Sequence, residues 1–334
     1  MTTSSISTPT SFSNILHLAW ERFKKIPPVY YVFFVIFISL GFLSETYQTT
    51  NGIMAFLRRT SPLAILAIGE MMVLASGGFD LSIGSIVTMV VLGSSLILSN
   101  DPSMAFPAIM IMLGLAVIIG LVNGFVVSFL KIPSFIATLG MMLLVKGGAL
   151  YWVGGAPRGY LTDNWRAFGR GYFENVPLVG RFPYALLILI VIAIFSYFIF
   201  HRSNFGKQVL AIGDNVRASQ LSGVKVRLVR MMTFVISSVF AVIGGIMIGG
   251  FGGVNVTIGE GLEMQTIAAC VVGGTMMLGG KGSVPNVIFG AFTMEAVFNL
   301  LNLLGLPKPY KDAVQGLIII AAVAYVAIST RKKR

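Results

Sequence analysis

Residues 105–130 read AFPAIMIMLGLAVIIGLVNGFVVSFL, a stretch without a single charged side chain. A helix needs roughly 20 predominantly apolar residues to cross a bilayer, so this stretch is long enough to span one. Residues 29–43 and 183–200 are equally free of charge. Of the 334 residues, 56% are hydrophobic and 11% are charged, whereas soluble domains carry about 25% charged residues. The chain is therefore predicted to be an integral membrane protein.

Further apolar segments follow this stretch and precede it. Together they predict an all-α, polytopic membrane protein with about ten transmembrane helices. The predicted spans are 29–44, 61–77, 82–98, 105–129, 134–153, 183–200, 231–250, 264–278, 285–304 and 312–328.

Basic residues decide the orientation of these spans. If the N-terminus is cytoplasmic, about fifteen Lys and Arg residues fall on the inner side and about eight on the outer side, which satisfies the positive-inside rule. We therefore expect both termini in the cytoplasm. The formal net charge of +12 then reflects topology and attraction to membrane lipid headgroups. Nucleic-acid binding is not expected, because no module of interleaved basic and aromatic residues accompanies the charge.

The chain is predicted to hold one membrane domain, residues 29–330, because no linker or soluble module interrupts the spans. Residues 1–28 are predicted to be an N-terminal cytoplasmic segment, and the apolar run after them lacks a small-residue cleavage site. The lone Cys270 has no partner for an internal disulfide, and His17 and His201 lack metal ligands at suitable spacing. No metal site is expected.

Residues 75–85 read ASGGFDLSIGS and join two apolar runs. One continuous helix through both runs would be roughly 57 Å long, nearly twice the bilayer core, so the chain must reverse or break here. Gly77 and Gly78 permit the backbone angles of a tight turn, and Asp80 or Ser82 can cap the next helix. A second interpretation makes these four residues a gate, because a broken helix exposes polar groups to a substrate cavity.

Three charged residues lie inside predicted spans, away from their first and last positions: Glu70, Lys146 and Glu295. Each is costly against lipid, so each is expected to face a cavity, a partner helix or another charge. Glu70 and Lys146 are a conceivable ion pair. Glu295, Asn299 and Asn302 recur at spacings that place them on one helical face. That face lines either a translocation pathway or an interface between helices.

Other residues are candidates for the same pathway. Asn123 and Thr138 are polar, and Phe135 is aromatic. Polar groups together with aromatic faces are the usual lining of a small-molecule site. With Glu295 and Asn299, they form the predicted set of pathway residues.

The chain contains no nucleotide-binding loop and no catalytic set of residues. The pattern G-x-x-x-x-G-K-[ST] fails near Lys281, because Gly282 stands where Ser or Thr is needed. Gly279, Gly280, Lys281 and Gly282 are interpreted as a tight turn between spans. No Ser/His/Asp arrangement is present that would suggest an intramembrane enzyme.

Four blocks of sequence, taken together, resemble the permease subunits of ribose/xylose/galactose-type ABC importers. They are SGGFDLSIGSIV at 76–87, VNGFVVSFLKIPSFIATLGMM at 122–142, FGKQVLAIGDNVRASQLSGVKV at 205–226 and IAACVVGGTMMLGGKGSVPNVIFGA at 267–291. Their order and spacing are specific, and the resemblance covers about residues 50–328. Phe79, and the pair Pro285 and Asn286, depart from the usual residues of these blocks.

The resemblance implies a permease domain that forms the translocation pathway for a monosaccharide-like solute in the bacterial cytoplasmic (inner) membrane. It implies that the chain is not an enzyme, since ATP and Mg would bind a separate ABC ATPase subunit. It also implies a solute-binding protein as partner and a second permease chain, either identical or paralogous. A different class of function, a stand-alone ion-coupled secondary transporter, would need carboxylates in mid-membrane, for which Glu70 and Glu295 are candidates.

A cytoplasmic coupling loop is expected near residues 203–230. Residues 217–223 read RASQLSG, a short helix ended by a glycine. They resemble the Glu-Ala-Ala-x-x-x-Gly motif by which such permeases dock onto their ATPase. Arg217 replaces the acidic residue, and small side chains at Ala218 and Ser219 would admit a partner before Gly223. A solvated loop is the alternative, but its apolar residues are too many for one. They are Val209, Leu210, Ile212, Val216, Leu221 and Val224.

Overall fold

A computed structural model describes residues 26–331. Most of the predicted N-terminal segment and the last three residues of the basic C-terminus lie outside the described residues. Of the described residues, 76% are helical. Its helices are α1 (Pro28–Leu43), α2 (Thr50–Ala75), α3 (Ile83–Leu98), α4 (Ala105–Ser128), α5 (Ser134–Trp152), α6 (Asp163–Arg170), α7 (Tyr184–Tyr197), α8 (Asn204–Asp214), α9 (Val216–Leu221), α10 (Val226–Gly252), α11 (Leu262–Val272), α12 (Val284–Leu303) and α13 (Lys308–Arg331).

Every predicted span contains a helix, and the expectation of an all-α membrane protein is confirmed in that sense. Among the described residues, six helices are long and apolar enough to cross a membrane. The number of about ten spans, and the cytoplasmic position of both termini, stay predictions. The six are Thr50–Ala75, Pro102–Ser128, Ser134–Trp152, Tyr184–Arg202, Val226–Gly252 and Val284–Leu303.

Helices α1, α3 and α11 are apolar but shorter. A helix rises 1.5 Å per residue. The 16 residues of α3 and the 11 residues of α11 are therefore too short to cross a hydrocarbon core of about 30 Å alone. Both follow non-helical segments at which the chain turns back into the protein.

Helices α2 and α10 form the centre of the bundle. In each, 67% of the most apolar window is buried, against 17% in α5 and 22% in the helix that contains α7. Helix α10 packs on α2, α3, α4 and α6. Glycine permits the closest of these contacts: a Cβ at Gly120 would lie 2.6 Å from the Cα of Val235. Small residues at helix contacts are the usual packing device within lipid.

The polar segment between α5 and α7 has secondary structure of its own. Helix α6 buries Trp165 against the bundle. Two short strands follow, β1 (Tyr172–Val176) and β2 (Gly180–Pro183), paired antiparallel. The all-α prediction contains no strands, so this hairpin is a small addition to the fold.

Candidate functional site

Helix α2 ends in a glycine turn, as the sequence predicts. Gly77 has a φ of 82°, its amide donates to Leu74 O at 2.8 Å, and the Gly78 amide donates to Val73 O at 3.0 Å. This hydrogen-bond pattern with a left-handed residue is a Schellman termination. Of the two glycines, only Gly77 uses the positive-φ region that glycine permits, because Gly78 lies outside it. At Gly78 the absence of a side chain makes room for a neighbour, because a Cβ there would lie 3.3 Å from Cζ of Phe234.

Asp80 organises the segment between α2 and α3. Its Oδ1 accepts from the Ser82 amide at 3.0 Å and from Ser82 Oγ at 2.5 Å, and its Oδ2 accepts from Ser237 Oγ at 2.9 Å. Ser82 is at the N-cap position of α3 but makes no side-chain capping bond. The predicted cap is therefore replaced by a carboxylate that binds the backbone two residues ahead, an arrangement common for Asp in turns.

Glu70 approaches the same segment from α2. Its Oε1 accepts from the Asp80 amide at 3.3 Å, and its Oε2 is buried with no partner among the described residues. The conceivable pair between Glu70 and Lys146 is wrong. Lys146 Nζ instead bonds Glu260 Oε1 at 2.7 Å, with both side chains 40% exposed. The reason is position: Glu70 is buried in central α2, whereas Lys146 lies on peripheral α5.

Two predicted pathway residues complete this buried network. Asn123 Nδ2 donates to Ser82 Oγ at 3.0 Å, and Thr138 Oγ1 accepts from the Leu81 amide at 3.1 Å. Both side chains are buried. Phe135 does not join them, because its ring is exposed on the surface of α5. We call Glu70, Asp80, Ser82, Asn123, Thr138 and Ser237 the break cluster.

A polar cleft opens between the start of α11, the end of α12 and the start of α13. It consists of two adjoining cavities of about 280 Å³ and about 300 Å³ that share Glu260, Gly261 and Gln315 among their lining residues. Glu295 lines the first of them. Asn299 Nδ2 donates to Glu295 Oε1 at 3.1 Å, so the two share one face, as predicted.

The cleft lies next to the break cluster. A Cβ at Gly84 would be 2.4 Å from Gly259 O and 2.4 Å from Oε2 of Glu263. Gly84 follows Ser82 by two residues, and Gly259 precedes the cleft-lining Gly261 by two. Backbone contact between these two glycines therefore joins the segment just before α11, which contributes Glu260 and Gly261 to the cleft, to the start of α3.

Most residues of the cleft were not among the predicted pathway residues. Glu260 and Gln265 lie at the beginning of α11, and Gln315 lies in the run 312–328, whose apolar character predicts a span. A polar amide inside such a run is a sign that this side of the helix faces protein or water rather than lipid. The contact between Lys146 and Glu260, 114 positions apart, carries no signal in a single sequence.

The coupling loop contains the predicted short helix. Helix α9 begins after Asn215, whose Oδ1 accepts from the Ala218 amide at 2.9 Å, and it is followed by Gly223 with a φ of 80°. Arg217 and Ala218 are exposed. Ser219 is buried and donates to the Asn215 carbonyl at 2.9 Å, so its hydroxyl is held within the loop, and its role in ATPase docking stays a prediction.

The apolar residues of this loop divide into two groups. Val209 and Ile212 are fully buried in the core of the bundle, so they explain how α8 is held and are not free to contact a partner. Leu221 is 76% exposed, and Val216 is exposed as well. The apolar surface available for docking is therefore smaller than the sequence suggests, and it lies on α9.

The coupling loop contacts the end of α2, where the chain leaves the helix. A Cβ at Gly213 would lie 2.0 Å from Ala75 O and 2.2 Å from the Gly280 nitrogen. The Gly280 amide donates to Ala75 O at 3.0 Å. Gly279 and Gly280 both have a positive φ, which confirms the predicted turn. Backbone from α8, from the 279–280 turn and from the end of α2 thus meets at one point, which we call the glycine junction.

Comparison with known proteins gives consistent matches. A family described as the branched-chain amino acid transport system permease component matches residues 52–323. The ribose import permease protein RbsC of Escherichia coli (strain K12) is 30% identical over 298 residues, 86% of this chain and 89% of that protein.

Two further relatives match at the same level. The autoinducer 2 import system permease protein LsrC of Salmonella typhi is 30% identical over 291 residues, 87% of this chain and 82% of that protein. The galactose/methyl galactoside import permease protein MglC of Haemophilus influenzae is 31% identical over 323 residues, 91% of this chain and 95% of that protein. No solved structure gives a significant match.

Proposed function

Since the chain belongs to the permease family that matches residues 52–323, and to its sugar-importer branch, we propose that it is the membrane-spanning subunit of an ATP-driven importer. Its cargo is a monosaccharide-like solute, which crosses the bacterial cytoplasmic membrane along a pathway that this subunit helps to form. The relatives named above import ribose, autoinducer 2 and galactose or methyl galactoside. All three systems fit a small, hydroxyl-bearing cargo.

The glycine junction is the observation that carries this proposal. An importer driven by a separate ATPase must transmit movement from a cytoplasmic docking surface to its membrane pathway. Here the exposed helix α9 follows α8, and Gly213 of α8 lies against the carbonyl of Ala75 at the end of α2. Arg230 Nη2, at the start of α10, also donates to Ser76 O at 2.9 Å.

The partners follow from this role. An ABC ATPase subunit docks on α9 and holds ATP and Mg, so hydrolysis takes place outside this chain. A solute-binding protein delivers the cargo on the outer side, and a second permease chain, identical or paralogous, completes the pathway. The coupling loop and both termini then lie in the cytoplasm, in agreement with the distribution of basic residues.

Reconstitution tests the proposal. The chain is placed in liposomes with its ATPase, and the solute-binding protein is added outside with labelled D-ribose, D-xylose or D-galactose. We expect uptake of at least one sugar that requires ATP, the ATPase and the binding protein together. Uptake by the chain alone, driven by a proton or sodium gradient, would instead establish the ion-coupled alternative and reject the proposal.

A further inference from the structure

Gln315 presents its amide to the polar cleft. The residue is 7% exposed, it lines both cavities of the cleft, and among the described residues no group hydrogen-bonds its side chain. Its amide atoms are not among the fully enclosed unpaired atoms of the described residues, so they are reached from the cleft. A polar amide on an otherwise apolar helix marks a side that faces protein or water, and this amide can both donate to and accept from a molecule held in the cleft.

The other groups of the cleft match the same kind of molecule. Gln265 is half-buried and equally without a side-chain partner, and Glu295 has one carboxylate oxygen free of hydrogen bonds. An amide both donates and accepts, as a sugar hydroxyl does. Phe298 adds a half-buried aromatic surface to this wall. Convergent polar groups beside an apolar wall are the usual composition of a small-molecule site.

The charges of the cleft are balanced. Glu260, Glu295 and Asp312 line it together with Lys308 and Lys311. Three further charges lie close to this lining: Lys146 pairs with Glu260, Arg59 interacts with Glu295, and Glu263 interacts with Lys146 and Glu260. Four acidic groups thus stand against four basic ones, so the cleft offers no net charge that would attract an anion or a cation. This balance favours a neutral solute.

We propose that the polar cleft is a solute-binding site of the permease itself, which takes a neutral polyhydroxylated molecule of monosaccharide size through Gln315, Gln265 and Glu295. Phe298 packs against the apolar side of the ring. The site rests on the proposed import function. It adds a step in which the permease binds the solute after the solute-binding protein has delivered it and before it crosses the membrane. The contact of Gly84 with Gly259 joins the segment just before α11 to the start of α3, so the bound solute lies next to the break cluster.

Thiol protection on the purified full chain measures binding without the ATPase or the binding protein. Asn302 lines the cleft and is exposed, so Asn302→Cys serves as reporter. The native Cys270 is buried and does not interfere. We expect D-ribose, D-xylose or D-galactose at 50 mM to slow modification of this thiol by a water-soluble thiosulfonate at least about threefold. D-gluconate, an anion of similar size, should protect less.

One control reporter and two amide variants show whether protection comes from solute bound in the cleft. Leu303→Cys reports from the neighbouring exposed residue, which does not line the cleft, and the sugar should not protect it. Gln315→Met and, separately, Gln265→Met remove the amide at similar volume and should abolish protection of Asn302→Cys. Undiminished protection in both variants, stronger protection by gluconate, or no protection by any of the three sugars would overturn the site. Failure of the import function would appear separately, as loss of ATP-dependent uptake by the wild type.

Discussion

Single residues at the end of α2 decide where the chain reverses. Gly77 carries the left-handed conformation, and a Cβ there would have room, since its nearest neighbours lie at 3.7 Å. Glycine is therefore required at position 77 because of its backbone angle, and at position 78 because a larger residue would not fit. The dipeptide in the sequence indicates a turn, but it does not distinguish these two causes.

Gly77 gives the cleanest test of that distinction. Gly77→Ala should lower the free energy of unfolding by about 1–2 kcal/mol, the cost of a left-handed L-residue. Gly77→Asn should cost less, because Asn tolerates this region. Stability is measured by denaturation of the purified protein in detergent. Equal stability of the alanine variant and the wild type would show that the turn does not depend on the φ of Gly77.

Asp80 gives a second prediction at this scale. Asp80→Ala removes the acceptor of both Ser82 donors and of Ser237 Oγ, and each buried donor left unpaired costs about 1–3 kcal/mol. Asp80→Asn keeps one acceptor oxygen and should be clearly milder. Both variants are compared by detergent denaturation and by uptake. If Asp80→Asn inserts normally and is as stable as the wild type but abolishes uptake, the charge itself is needed and the structural role assigned here is wrong.

Among the elements, helix α9 carries the most specific expectation. Its exposed face holds Arg217, Ala218 and Leu221. Leu221→Asp and Ala218→Arg should each reduce co-purification with the ATPase at least about tenfold, because they place a charge or bulk on the docking surface while leaving the bundle intact. Leu278→Asp is the matched control, since Leu278 is 84% exposed in the neighbouring 273–283 loop. A loss confined to Leu278→Asp would move the dock to that loop.

The elements also show how far the sequence predicts the protein. Apolar runs and glycine turns are local signals, so each predicted span contains a helix and the turns at Gly77 and Gly279 are predicted. Helix ends are predicted less well: α2 begins eleven residues before the predicted span 61–77, and α11 ends six residues before the end of 264–278. The cleft is not predicted, because Lys146 and Glu260 meet across 114 positions and Gln315 is one polar residue in an apolar run. The sequence analysis counts Val209 and Ile212 as apolar docking surface, although both are buried in the bundle. Hydropathy alone does not distinguish a buried apolar residue from an exposed one.

At the scale of the whole molecule, three regions form one connected path. Helix α9 provides the proposed docking surface, the glycine junction joins it to the end of α2, and the break cluster lies between that end and the polar cleft. Packed backbone at the junction leaves no flexible side chain to absorb a displacement: the neighbours of Gly213 are Ala75 O and the Gly280 nitrogen. We therefore expect a movement imposed on α8 to reach the segment between α2 and α3.

The central claim is that this junction couples ATP hydrolysis to transport, and Gly213→Ala tests it most directly. Gly140→Ala is the control, because a Cβ at Gly140 would meet nothing within 4 Å. Uptake and ATP hydrolysis are measured together in liposomes that hold the complete importer. We predict that Gly213→Ala still binds the ATPase and hydrolyses ATP, while solute taken up per ATP falls at least about tenfold and Gly140→Ala keeps the wild-type ratio. An unchanged ratio in Gly213→Ala would contradict the account.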